Sequence, residues 1–135
     1  MIKAEIGFDN GVYLARIEGH ANYAPKGQDI VCAGVSALAG ALLESLVGLL
    51  NDENNSFIKT SVNDGFFEVT VGRPKNKETE VMVRELFYML MTGLTRIERD
   101  YPAYIELSTF DIPERVVDND TSEQTMNEKR EEVRG

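Results

Sequence analysis

The residues best suited to chemistry in this chain are a single histidine and a single cysteine, which are the only ones among its 135 residues. A cysteine acts as a nucleophile in its thiolate form, and it needs a neighbouring group that accepts the thiol proton. Histidine suits that role because its side chain ordinarily titrates near neutral pH. His20 and Cys32 together therefore suggest nucleophilic catalysis by a thiol.

The residues before Cys32 predict that the thiol lies at the start of a helix. Asp29 is a favourable N-cap before a long apolar run, so Ile30, Val31 and Cys32 would be the first helical residues. Unpaired backbone N–H groups and the positive end of the helix dipole meet at such a position. They favour the thiolate, and they would stabilise the oxyanion formed when it attacks a carbonyl carbon.

A purely structural interpretation competes with this hypothesis. A single cysteine on an apolar helix is usually a small buried side chain, and a single histidine is usually a hydrogen-bonded surface or core group. Gly19, at the end of a predicted strand, and a loop containing Pro25 and Gly27 favour a catalytic pair. Such a loop can fold His20 back toward Cys32.

Two blocks of sequence carry a resemblance to a known family. Gly19-His20-Ala21, followed by Gly27-Gln28-Asp29-Ile30-Val31-Cys32-Ala33-Gly34-Val35-Ser36, resembles the signature of the ribosomal-processing cysteine protease family (Prp). The resemblance in size and layout runs from the first hairpin to about Phe110, and by position it implies that Cys32 is the nucleophile and His20 its base. Supporting or substrate-binding roles are predicted for Gly19, Gly27, Gln28, Asp29 and Ser36.

The family implies an endopeptidase that removes the N-terminal extension of a large-subunit ribosomal protein before ribosome assembly. Phage-borne members are implied to process capsid proteins, so a phage capsid or scaffold protein is the alternative substrate. The family also implies a homodimer. We expect no cofactor and no metal, because one histidine and one cysteine would leave further zinc ligands to carboxylates.

Two of the supporting residues have two interpretations each. Asp29 could orient His20, but its role as an N-cap explains it equally well, and we favour the cap. Ser36 lies one helical turn after Cys32 and could hydrogen-bond near the thiolate. Bonding to its own i−4 carbonyl is the commoner fate of a helical serine.

Other functions remain open from the residues alone. The thiol could serve acyl transfer or a redox step, although the absence of a second cysteine weakens the redox alternative. The chain could also be a non-catalytic, dimeric binding module with a buried Cys32. Alkylation of Cys32 as a function of pH separates these alternatives, because a catalytic thiol reacts readily near neutral pH.

Composition restricts the class of protein. With 42% hydrophobic and 27% charged residues, the chain resembles an ordinary soluble domain, and its net charge of −9 argues against direct binding to nucleic acid. That charge is compatible with a basic protein substrate. The single cysteine and an N-terminus lacking a signal-peptide pattern predict a cytoplasmic protein. The apolar run from Ile30 to Leu50 contains Glu44 and favours a buried helix rather than contact with a membrane.

Hairpins and helices are predicted to position the pair. Strands over 2–8 and 12–18 flank Asp9-Asn10-Gly11, and strands over 57–62 and 66–71 flank Asn63-Asp64-Gly65. A helix over about 29–50 is apolar nearly all round, which predicts burial on most sides. A second helix over about 78–100 and a strand over 103–110 follow. The predicted core stripe of the second helix is Met82, Leu86, Leu90, Leu94 and Ile97.

The order ββαββαβ with its two hairpins predicts an α+β fold. We expect a mostly antiparallel sheet with both long helices on one face, a two-layer sandwich. Residues 1–110 would form the cysteine protease domain, with residues 21–28 as a mobile loop that forms one wall of the peptide groove. Residues 111–135 contain eight acidic and four basic residues and no aromatics, and they predict an acidic, disordered tail.

Overall fold

A computed structural model describes residues 1–50 and 58–111, and it contains the predicted order of strands and helices. The polar turn predicted over 51–56 lies outside these residues, as does the tail beyond Asp111. The elements are β1 (Ile2–Asp9), β2 (Val12–Glu18), α1 (Ile30–Leu49), β3 (Ile58–Asn63), β4 (Phe66–Gly72), α2 (Lys77–Asp100) and β5 (Ile105–Phe110).

The two hairpins form where the turn residues predict them. Asp9 pairs with Val12 across Asn10 and Gly11, which both have positive φ angles, 51° and 76°. That combination matches the right-handed twist of the strands and explains the preference for Asn-Gly at this position. In the second hairpin Asn63 pairs with Phe66, and Gly65 has a φ of 73°.

The five strands form one sheet in the order β3-β4-β2-β1-β5. The pairs β1–β2, β3–β4 and β2–β4 are antiparallel, whereas β5 runs parallel to β1. The prediction of an α+β fold with a mostly antiparallel sheet is therefore confirmed. Because β4 lies beside β2, the turn of the second hairpin reaches the strand end that leads into His20, and the Gly19 N–H donates to the Gly65 carbonyl over 2.8 Å.

The core lies on one face of the sheet. On β1, β2 and β4 the residues of that face are buried, and on β1 and β2 they alternate with exposed residues such as Lys3, Glu5 and Arg16. The buried residues of α1 and α2 join those of the strands in one hydrophobic core, as expected for a two-layer sandwich with both helices on one face. The largest fully buried side chains include Tyr13, Phe87, Ile6, Leu42, Leu46, Leu90, Leu94 and Ile105.

The prediction that α1 is buried on most sides is wrong. Its buried residues form one stripe, while Ile30 and Val47 on other sides of the helix are 54% and 50% exposed. In a two-layer fold the sheet and a single neighbouring helix can cover only part of the surface of a helix. The length and composition of α1 would also suit a membrane span, but core helices pass the same test, and α1 packs against α2.

The predicted core stripe of α2 is partly wrong. Met82 is 50% exposed, and the residues that are buried are Thr79, Val83, Phe87, Leu90 and Leu94. This set follows the spacing of one helical face, and Met82 lies beside that face. The two helices approach closely at Gly93, where a Cβ atom would lie 2.7 Å from Leu38.

Candidate active site

Cys32 lies in the first turn of α1, where the sequence predicts it. Asp29 has an extended backbone and caps the helix, because its Oδ1 accepts the N–H of Cys32 over 3.0 Å. The Cys32 side chain is partly buried. The N–H of Cys32 is therefore already engaged by the cap.

The second oxygen of Asp29 anchors the loop between His20 and Cys32. Its Oδ2 accepts the N–H of Tyr23 over 2.9 Å and that of Ala24 over 3.4 Å. The N–H of Cys32, followed by those of Tyr23 and Ala24, lowers the pKa of this carboxyl despite the opposing effect of desolvation. Asp29 thus serves as helix cap and loop anchor in this structure, which agrees with the interpretation favoured from the sequence.

The sulfur of Cys32 has a hydrogen-bond donor directed at it. The N–H of Ala21 donates to Sγ over 3.4 Å, and Ala21 is only 3% exposed. This contact was not predicted from the sequence, because nothing in the alanine side chain signals the role of its backbone.

His20 follows β2 at the predicted strand end. Gly19, just before it, has a φ of 95°, and a Cβ atom there would lie 2.6 Å from the carbonyl oxygen of Met1. The position therefore requires glycine. The His20 side chain is exposed, and its ring rests against Gly65 in the turn of the second hairpin.

His20 and Cys32 line the same groove but are not joined by a hydrogen bond. Within the described part of the chain, no hydrogen bond joins the imidazole to the thiol, although both side chains line the same groove. Catalytic hydrogen bonds often form only when substrate is bound.

The groove has a volume of about 630 Å³, and most of the predicted supporting residues line it. Gly27 has a φ of 89° and lies at an open part of the loop. Gln28 is exposed and is not among the described residues of the groove wall; its N–H donates to the Pro25 carbonyl over 2.9 Å. The predicted residues that line the groove are Gly19, His20, Gly27, Asp29, Cys32 and Ser36.

The two long walls of the groove are provided by α1 and by the second hairpin. On the helix side lie Ala39, Gly40 and Leu43, and on the hairpin side lie Val62 and Phe67. Val62 is 59% exposed, so an apolar surface is available to a ligand. The sequence predicts the hairpin but not its position, because the order of strands in the sheet depends on pairing between distant segments.

The described residues contain no cluster of side chains that could bind a metal ion. Across 1–50 and 58–111, no group of three or more His, Cys, Asp or Glu side chains is placed to hold a metal ion. The chemistry that the site offers is that of a thiol, an imidazole and backbone N–H groups beside an open groove.

Comparison of the sequence with known families gives a match over almost the whole described chain. The family model described as "Cysteine protease Prp" matches residues 1–106. The "Ribosomal processing cysteine protease Prp" of Bacillus subtilis (strain 168) is 30% identical over 111 residues, which cover 81% of this chain and 97% of that protein. The protein of the same name from Staphylococcus aureus (strain Mu50 / ATCC 700699) is 29% identical over 92 residues, covering 68% and 81%.

Solved structures give the same similarity in three dimensions. The crystal structure of an essential ribosomal processing protease Prp from S. aureus, in complex with a covalently linked product peptide, matches with a TM-score of 0.64 and 27% identity. It covers 82% of this chain and all of that chain. A second structure of Prp from S. aureus, with a substrate peptide, has a TM-score of 0.60 at 23% identity over the same share of this chain, which supports the fold.

Proposed function

This chain belongs to the cysteine protease Prp family and is a cysteine protease. We propose that it removes the N-terminal extension of a large-subunit ribosomal protein. The observation that carries the proposal is the position of Cys32 and His20 in one groove, with the thiol in the first turn of α1. The names of the relatives support ribosomal processing as the biological role.

In the first step the sulfur of Cys32 forms a bond to the scissile carbonyl carbon, and the thiol proton passes to His20. The carbonyl oxygen becomes an oxyanion. The N–H of Ala21 lies 3.4 Å from the sulfur, which places it within reach of an oxygen on the adjacent carbon. The positive end of the α1 dipole acts on the same negative charge.

In the second step the carbon–nitrogen bond breaks, and the His20 imidazolium donates its proton to the leaving amine. The mature substrate leaves with a new N-terminus, and the extension stays bound to Cys32 as a thioester. His20 then takes a proton from water, whose oxygen attacks the thioester carbon and releases the extension and the thiol. The peptide covalently linked to the S. aureus relative supports a covalent step of this kind.

The groove suits an extended peptide with apolar side chains. Its walls offer the exposed Val62 on one side and the small residues Ala39 and Gly40 on the other. The net charge of −9 attracts a basic protein, as expected of a ribosomal substrate. We place this reaction in the cytoplasm, where ribosomes assemble.

A peptide spanning the extension and the start of the host's large-subunit ribosomal protein, labelled with a fluorophore and a quencher, tests the proposal. Cys32→Ala and Cys32→Ser should abolish cleavage while circular dichroism shows a retained fold. Ser45→Ala, an exposed change on the same helix away from the groove, is the matched control and should cleave normally. Near-normal turnover by folded Cys32→Ala would end the hypothesis, and cleavage of a phage capsid protein alone would reassign the substrate.

We also propose that the enzyme is a homodimer. Exposed apolar side chains on the two helices, including Ile30, Val47 and Met82, support an interface between copies. Sedimentation velocity at micromolar concentration should show a dimer. A single monomeric species under these conditions would refute this proposal without affecting the assignment of Cys32.

A further inference from the structure

Three tyrosines meet where the active-site loop crosses the end of α2. The ring of Tyr23, in the loop, lies edge-on to Tyr101 with 5.5 Å between centroids and edge-on to Tyr104 with 5.2 Å. Interplanar angles of 82° and 83° are the favoured T-shaped arrangement of aromatic pairs. One loop residue is therefore held by two rings from the connection between α2 and β5.

Backbone hydrogen bonds hold the segment that carries those two rings. The N–H of Tyr101 donates to the Ile97 carbonyl over 2.7 Å, and the N–H of Tyr104 donates to the Tyr101 carbonyl over 3.0 Å. The carbonyl of Tyr104 in turn accepts the N–H of Ile2 over 2.9 Å. Both tyrosine side chains also pack against the hydrophobic core. The connection is thus tied to α2 and β1, and it can act as a support for the loop.

Tyr23 transmits this support to the sulfur of Cys32. Ala21, whose N–H donates to Sγ, is two residues before Tyr23, and only Asn22 lies between them. Asn22 has a φ of 57°, a left-handed conformation that asparagine tolerates better than most residues and that turns the chain between Ala21 and Tyr23. The N–H of Tyr23 is held at the same time by Asp29 over 2.9 Å.

Two sets of contacts hold Tyr23, one through its backbone and one through its ring. The Asp29 carboxylate fixes the backbone at Tyr23 and Ala24, whereas the two tyrosines fix the direction of the Tyr23 ring. Loss of the rings would leave Tyr23 held from one side only. The Ala21 N–H, which donates to the sulfur over 3.4 Å, would then be free to move away from it.

We propose that Tyr101 and Tyr104 are positioning residues for catalysis, which hold the Ala21 N–H at the Cys32 sulfur through the ring of Tyr23. The inference rests on the proposed role of Cys32 as the nucleophile and adds the elements that keep its environment in place. The three tyrosines do not contact the reacting atoms. They act on the thiolate and the oxyanion only through the backbone of the loop.

The test compares ring-removing and ring-keeping variants of the full chain. Tyr23→Leu and Tyr104→Leu should lower kcat by about tenfold or more, because small displacements of catalytic groups have effects of this size. KM for the labelled ribosomal-protein peptide should change much less. The rate of Cys32 alkylation by iodoacetamide at a fixed pH should change as well, because the Ala21 N–H no longer holds its place at the sulfur. Tyr23→Phe and Tyr104→Phe keep the rings and should restore both values.

Phe8→Leu is the matched control for a general loss of packing. Phe8 also packs on the core, and its ring lies 4.6 Å from that of Tyr13, at the first hairpin. This variant should lose stability without a change in kcat or in the alkylation profile. If Tyr104→Leu does not fold, Tyr23→Leu decides the question, since Tyr23 is 41% exposed and contributes less to the core.

Two results would overturn the proposal. One is a folded Tyr23→Leu variant with unchanged kcat and unchanged alkylation profile. The other is a change in KM alone, which would make Tyr23 a substrate contact instead. Both results are distinct from failure of the proposed function, because that failure would appear as cleavage by Cys32→Ala.

Discussion

The imidazole of His20 rests on the backbone of Gly65, so closely that a Cβ atom at Gly65 would lie 2.7 Å from Nε2 and 3.2 Å from Cε1. Gly65 also accepts the N–H of Gly19 through its carbonyl, so the turn holds the strand end as well as the ring. A residue distant in the chain therefore fixes where the proposed base lies. Three predictions concern this site, and one concerns the chain end.

Gly65→Ala should impair cleavage by displacing His20. The new methyl group would collide with the imidazole, and the φ of 73° at this position costs about 1–2 kcal/mol for an L-residue. We expect kcat/KM to fall by about tenfold or more, together with a moderate loss of stability. Peptide cleavage and urea unfolding measure the two effects separately.

Gly11→Ala provides the control for backbone strain. Gly11 has a φ of 76° in the other hairpin, but no described atom lies within 4 Å of a Cβ placed there. It should lose a similar amount of stability and keep normal activity. Equal kcat/KM values for the two alanine variants would show that the contact between His20 and Gly65 does not matter for catalysis.

His20→Ala should lower cleavage by about 10²–10⁴-fold, because the leaving amine loses its acid and the thiol its base. Alkylation of Cys32 near neutral pH should become slower, because the proposed acceptor of the thiol proton is gone. The helix start and the Ala21 N–H remain, so the thiol should still react at high pH. His20→Gln, which keeps a polar side chain but cannot act as an acid or base, should behave like His20→Ala.

Normal cleavage by His20→Ala, with an unchanged alkylation profile, would show that the two residues are not a catalytic unit. His20 would then be a structural residue, and the environment of Cys32 would come from its helix and loop alone. The variant is informative because the described residues contain no hydrogen bond between the imidazole and the thiol.

Asp29→Asn should flatten the dependence of stability on pH in acid. Hydrogen bonds, first from the Cys32 N–H, lower the pKa of Asp29 in the folded state below its ordinary value of 3.8. The unfolded chain therefore binds more protons as the pH falls below about 4, and the stability contributed by the ionised carboxylate is lost as the pH falls through the folded pKa.

Urea unfolding at several pH values measures this effect. The wild type should lose more of its free energy of unfolding than Asp29→Asn does between about pH 5 and pH 2. The variant should be the less stable protein at neutral pH, because its helix cap and loop anchor lose a negative charge. Parallel curves for the two proteins would contradict the assigned role of the carboxylate.

Removal of residues 114–135 should cost little stability, because the composition of this segment offers little apolar area to bury. Thermal unfolding and peptide cleavage should both remain close to those of the full chain. A large fall in the unfolding midpoint after truncation would show instead that the segment packs on the domain.

The sequence by itself determines the local features of the site. Asp9-Asn10-Gly11 predicts the first hairpin, because only certain residues tolerate the positive φ angles of its turn. Asp29 before an apolar run predicts both the helix start and the position of Cys32 in the first turn. These features depend on backbone preferences and hydrogen bonds between residues a few positions apart, so a single sequence is enough to identify them.

Only the tertiary structure decides what surrounds Cys32 and His20. The pairing of β2 with β4 brings Gly65 to His20, and the fold brings Tyr104 to the loop that holds Ala21 against the sulfur. In the folded protein Met82 and one side of α1 are exposed, although the apolar patterns of the two helices predict that they are buried. Strand order and helix packing depend on which distant apolar surfaces are buried together, and periodicity in one segment carries no information about its distant partner.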